Sequence, residues 1–144
     1  MKYLMTMLVA LCMTQAAVEK DTVTITIMVE GLRNGSGSVS VALFEETDYF
    51  PDDEPFKAVE VSASASGSVE LVIEDVPNGD YAVAVMHDEN DNGDIDMNEY
   101  GMPMEGFGFS NDAMGDMGPP DFDSAAFTAD EDTDLTVNIR YVGG

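Results

Sequence analysis

The chain has one cysteine, one histidine and no tryptophan, and only five Lys and Arg against 29 Asp and Glu in 144 residues, a formal net charge of −24. Each shortage excludes something. Cys12 falls in an N-terminal segment expected to be removed, so disulfides add nothing to the folded chain. No Lys or Arg stands between Lys57 and Arg140, which argues against nucleic acid and anionic membranes as partners and makes a divalent cation the natural counterpart. Any Ser-His-Asp or Cys-His catalytic arrangement has to use His87, and no G-x-S-x-G motif is present. No catalysis is expected.

What is present begins with "MKYLMTMLVALCMTQA", in which Lys2, the apolar run Leu4 to Met13 and a small residue at Ala16 outline a secretory signal peptide. Residues 1–16 are read as that signal and 17–144 as a single domain, exported to the periplasm or the extracellular space. Leu11 precedes Cys12 where a lipidated signal has a small residue, which argues against a lipid anchor. No later apolar run reaches about 18 residues, so no transmembrane segment is expected.

From Thr22 onward apolar residues recur at period two: Val23, Ile25, Ile27 and Val29, then Val39, Val41 and Leu43. "KAVEVSASA" and "SVELVIED" read as a pair meeting near Gly67, and "YAVAVMH" and "DLTVNIRYV" follow the same rule. Nothing has a convincing helical period. Six strands, with a seventh around 125–128, predict an all-β, Ig-like sandwich of two antiparallel sheets. One long Gly- and Met-rich stretch, residues 88–123, has no periodicity, and loops of that length in compact domains carry a function or are disordered. Phe107, Phe109, Phe122 and Phe127 are read as anchors tying it to the sandwich.

The stretch "HDENDNGDIDMNEY" matches D-x-[DN]-x-[DN]-G-x5-E at Asp88, Asn90, Asn92, Gly93 and Glu99. A hard cation such as Ca²⁺ takes six to eight oxygens, and alternate side chains of a tightly coiled loop supply them. Asp88, Asn90 and Asn92 give side-chain oxygens, Asp94 a backbone carbonyl, Asp96 a ligand through water and Glu99 a closing carboxylate. Gly93 allows the sharp turn, and Ile95 is the apolar pin. A strand precedes the loop and "GMP" follows it, so the helices of a calcium sensor are absent and a static clamp fits better. The rival reading is a plain solvated acidic loop.

Two readings of His87 stand: a strand-end residue bonded to a nearby carbonyl or carboxylate, or a metal ligand. With the thioethers of Met97, Met102, Met104, Met114 and Met117 it would suit Cu(I), which makes a copper or small-ligand binder the alternative function. The same methionines would equally fill gaps beneath a loop.

"YAVAVMHDENDNGDIDMNEYGMPMEGFGFSNDA" with "GPPDFDSAAF" closely resembles the exported bacterial family known as domain of unknown function 2141. Its hallmark is a strand ending in His-Asp, an Asn- and Gly-rich loop, then G-x-P-x-E-G-[FY]-G-[FW]-S-N. The resemblance implies a prealbumin-type β-sandwich and no established activity. It places His87, Asp88, Asn90, Asn92, Gly93, Asp96 and Glu105 in the shared motif. Relatives tend to carry an apolar residue where Glu99 stands, which makes Asp96 or Glu105 the alternative closing ligand. They often have a basic residue in the segment occupied here by "MGDM". A weaker likeness is to the calcium-bound B-repeat modules of surface adhesins. The expected protein is an exported, calcium-stabilised sandwich with a structural or interaction role.

Overall fold

The computed structural model describes residues 21–47, 49–116 and 118–142. The expected signal peptide with Cys12, and Met117, lie outside the described residues. The β-branched alternation becomes strand wherever it occurs: β1 (Thr22–Glu30), β2 (Ser38–Glu45), β3 (Lys57–Ser62), β4 (Ser68–Pro77), β5 (Gly79–Asp88) and β8 (Thr133–Asn138). Two shorter strands complete the set, β6 (Gly106–Phe109) and β7 (Phe127–Ala129), with a four-residue helix, α1 (Phe122–Ala125), between them.

One sheet has the order β4-β1-β8 and the other β3-β2-β5-β6, with β7 also on β5. Side chains alternate across each strand, so one face of each sheet turns inward. Ile25, Ile27, Val39, Val41, Leu43, Leu71, Ile73, Val83 and Val137 are buried between the sheets. A second apolar cluster covers part of the larger sheet's outer face. Phe50 sits at its centre, edge-on to Phe44, Phe109 and Phe122 at 5.1, 5.8 and 6.2 Å between ring centroids. Of the four expected aromatic anchors, Phe109 and Phe122 belong to this cluster, Phe107 packs against it and Phe127 packs against the main core.

Three features differ from the expected arrangement. β3 and β4 do not pair with each other: β3 pairs with β2 and β4 with β1, in separate sheets. Alternation specifies a buried face and leaves the partner open. The connection between them bonds instead to the β1–β2 link, Ala63 N to Gly37 O and Leu32 N to Gly67 O, both at 3.0 Å. Secondly, β1 and β8 run parallel, from Ile25 opposite Thr133 to Glu30 opposite Asn138, while every other strand ladder is antiparallel.

Thirdly, residues 88–123 contain order that periodicity does not reveal. β6 adds to β5 and also exchanges two backbone bonds with the chain after β8, Phe107 N to Arg140 O at 3.1 Å and Arg140 N to Phe107 O at 2.8 Å. That closes one corner of the sandwich. Gly106 makes the approach possible, because a Cβ there would lie 2.5 Å from both Ile139 and Tyr141 side chains. Next in sequence, the fully buried Ser110 hydroxyl accepts from Val83 N at 2.9 Å and donates to Ala125 O at 2.5 Å. Asn111 Nδ2 donates to Ser124 O and Ala126 O at 3.3 and 2.9 Å. Among the described residues no helix is long and apolar enough to cross a membrane.

Candidate functional site

β5 ends in two buried polar residues, His87 and Asp88, at 0 % and 1 % exposure. Burying them demands partners for every polar atom. His87 Nε2 lies 2.8 Å from Ser36 O, an atom that only accepts, so Nε2 carries the proton. Nδ1 therefore accepts from the Tyr141 hydroxyl at 2.7 Å, and that oxygen accepts in turn from Arg33 N at 3.1 Å. Burial raises the Tyr141 hydroxyl above its ordinary pKa. Both imidazole nitrogens are thus engaged within the fold.

Asp88 caps the loop that follows it. Its Oδ1 accepts from Asn92 N at 3.2 Å and its Oδ2 from Gly93 N at 2.7 Å. Asn90 Oδ1 accepts from Asn92 N at 3.2 Å, and Asn92 Oδ1 from Asp94 N at 3.0 Å. Their amide groups converge on one carboxylate: Asn90 Nδ2 donates to Asp96 Oδ2 at 2.7 Å and Asn92 Nδ2 to Asp96 Oδ1 at 2.8 Å. These bonds, that from Asn92 foremost, hold the Asp96 carboxyl below the ordinary carboxylate range. Asp96 O also accepts from Met104 N at 2.7 Å, which brings the chain back so that Glu105 lies beside the loop.

Glu105 is 4 % exposed, and its Oε2 is buried without a partner. Burial raises its pKa, and the charges of Asp88 and Asp96 and a hydrogen bond with the Asp96 carboxyl raise it further. The structure therefore gathers Asp88, Asn90, Asn92, Asp96 and Glu105. It does not bring Glu99 to them: Glu99 is exposed at the tip of a turn closed by Gly101 N to Asn98 O and by Asn98 Oδ1, which accepts from Tyr100 N and Met102 N. Asp94 is exposed, Gly93 has φ 83°, and Ile95 is half-buried outside both apolar clusters.

Sequence reasoning passed over the basic side of this region. Arg33 holds Glu89 through two bonds, Nη2 to Oε1 at 2.6 Å and Nε to Oε2 at 3.2 Å, and its guanidinium lies 4.3 Å from the centre of the Tyr141 ring. Asn34 Nδ2 adds a 2.6 Å bond to Glu89 Oε2. Arg33 foremost lowers the Glu89 pKa. Both chain neighbours of Asp88 are consequently fixed, His87 by Tyr141 and Ser36, Glu89 by Arg33 and Asn34. Only the rarity of basic residues hinted at Arg33, since its partner lies 56 positions away. Among the described residues this is the one ion pair, so no basic side chain compensates Asp88, Asp96 or Glu105.

Among the described residues no three His, Cys, Asp or Glu side chains form a metal-holding group. Asp88, Asp96 and Glu105 are therefore near one another without closing such a group: the Asp88 oxygens accept from backbone amides and the Asp96 oxygens from the Asn90 and Asn92 side chains. Met97, Met102, Met104 and Met114 are exposed, whereas His87 is buried with both ring nitrogens hydrogen-bonded within the fold.

Fold and loop together define an acidic β-sandwich with an Asx-rich loop clamped at the end of a central strand. The chain belongs to the bacterial family DUF2141, described as uncharacterized proteins conserved in bacteria, whose sequence profile matches residues 27–138. No curated protein and no solved structure matches the chain.

Proposed function

We propose that the protein is an exported, calcium-stabilised β-sandwich module with a structural or interaction role and no catalytic activity. The observation that carries this reading is Glu105 Oε2, buried and unpartnered against Asp88 and Asp96. A buried carboxyl oxygen without a hydrogen-bond partner is costly, and a hard cation is the simplest group that would compensate it together with the neighbouring acidic side chains. Ca²⁺ would be held by Asp88, Asn90, Asn92, Asp96 and Glu105, with the Asp94 carbonyl, and would supply charge compensation alone. Glu105 is the closing ligand in this proposal, in place of Glu99.

The test is a thermal melt of the protein in chelator and with added calcium. A dissociation constant of about 10⁻⁴ to 10⁻³ M, typical of extracellular modules, gives about 1.4–2.7 kcal/mol at roughly 10 mM calcium, a rise in Tm of several degrees. Asp88→Ala and Glu105→Gln should abolish the rise, and Glu99→Gln should leave it. An unchanged wild-type melt refutes the reading. Export is checked separately by N-terminal sequencing of protein recovered outside the cytoplasm, where Ala17 is the expected first residue.

The exposed Met97, Met102 and Met104 thioethers favour a second reading, a copper or small-ligand binder. It requires Cu(I) binding that disappears when Met102 and Met104 are both changed to Leu.

A further inference from the structure

The outer face of the five-stranded sheet is divided. The half nearest Phe44 lies under the Phe50 cluster, whereas the half at the Asp88 end is open. There Ser62, Ser38 and Asp88 stand in one row across β3, β2 and β5, and Glu60 and Ser40 stand in the next row on the same face. Residues 91–93 of the loop form a wall beside them. The result is a groove of about 570 Å³ whose floor and sides include Ser38, Glu60, Ser62, Asp88, Asp91 and Asn92.

Ser38 supplies the observation that points to a ligand. It is 7 % exposed, it lines the groove, and its hydroxyl has no hydrogen-bond partner. Glu60 is held ready by one oxygen only, Oε2, which accepts from Ser40 Oγ at 3.1 Å. No basic side chain lines the groove, and Val61 is its one large apolar residue. Carboxylates at Glu60, Asp88 and Asp91 repel anions, and a floor of hydroxyls and carboxylates offers little to an apolar ligand. A compact cation with several N–H donors meets these demands, and the lysine ammonium carries three on a stem long enough to reach a buried oxygen.

We infer that this groove receives a lysine side chain from a basic partner protein, the ammonium donating to Ser38 Oγ and facing the Glu60 and Asp91 carboxylates. A groove of this volume admits the side chain together with flanking backbone. The chain's net charge of −24 steers a basic partner toward it and disfavours a second copy of the same chain. The groups proposed to meet the ammonium, Ser38, Glu60 and Asp91, are not among the residues proposed above to hold calcium.

The experiment is an amide NMR titration of the whole domain with three probes: the capped peptide Gly-Gly-Lys-Gly-Gly, the same peptide with norleucine for lysine, and butylamine. The lysine peptide should shift signals confined to Gly37, Ser38, Glu60 to Ser62 and Asp91 to Gly93, and the norleucine peptide should shift none of them. Ser38→Ala and the surface change Glu60→Gln should each weaken binding about tenfold, with spectra otherwise like wild type. Equal affinity in both variants, or shifts spread over remote carboxylates such as Glu131 and Asp134, reduces the effect to bulk charge attraction and overturns the assignment. Butylamine binding as tightly as the lysine peptide also overturns it, in favour of a free amine.

Discussion

His87 shows how one side chain dictates the chemistry of its neighbours. Ser36 O fixes the proton on Nε2, so the Tyr141 hydroxyl must donate to Nδ1, and removing that hydroxyl strands a buried acceptor. Tyr141→Phe should therefore cost about 1–3 kcal/mol in urea unfolding. Ser110→Ala strands the amide of Val83 and the carbonyl of Ala125 together and is expected to cost at least as much. At this scale the clustering of Asp88, Asn90, Asn92 and Asp96 was legible, because all four lie within one short stretch of sequence. Arg33 and Tyr141 were not, since each matters through a partner more than 50 positions away, and neither was Ser38, whose place opposite Asp88 is set by strand pairing. The separation of Glu105 from Glu99 was legible only in outline: nothing local says that the turn at Asn98 points Glu99 outward and that Met104 N returns the chain to Asp96.

Among elements, those whose side chains alternate between water and core announced themselves: β1, β2 and β5 bury the residues their pattern selects, and β8 buries Val137 with Leu135 half-buried against the core. β6 did not, because its sequence GFGF reads as turn-like until Ile139 and Tyr141 are placed above Gly106. Gly106→Ala forces a methyl into those side chains, and about 1–3 kcal/mol of destabilisation is expected, measured by denaturant midpoint. α1 is too short for any periodicity and is held by its cap, the Asp121 side chain accepting from Ser124 N. The Ser124 bonds lower the Asp121 pKa. A depressed folded pKa contributes stability above the unfolded value and loses it as pH falls through the folded one. Asp121→Ala should therefore flatten the stability profile across the acid side of the ordinary carboxylate range, with little change in slope near neutrality.

At the scale of the molecule, a charge of −24 on a chain of this size opposes compaction. Screening relieves that repulsion, since the Debye length shrinks from about 30 Å at 0.01 M salt to about 3 Å at 1 M. Monovalent salt should thus raise Tm gradually and without saturation, in wild type and in Asp88→Ala alike. Calcium should act at millimolar levels, saturate, and depend on Asp88. A single titration series in NaCl and in CaCl₂ at matched ionic strength separates the two effects. The sheets themselves carry a mechanical consequence. Because β1 and β8 are parallel neighbours over six residue pairs, tension applied between the start of β1 and the end of β8 slides the two strands lengthwise. Their ladder bonds then share the load and must rupture together instead of unzipping one by one, which suits a domain that is pulled from both ends.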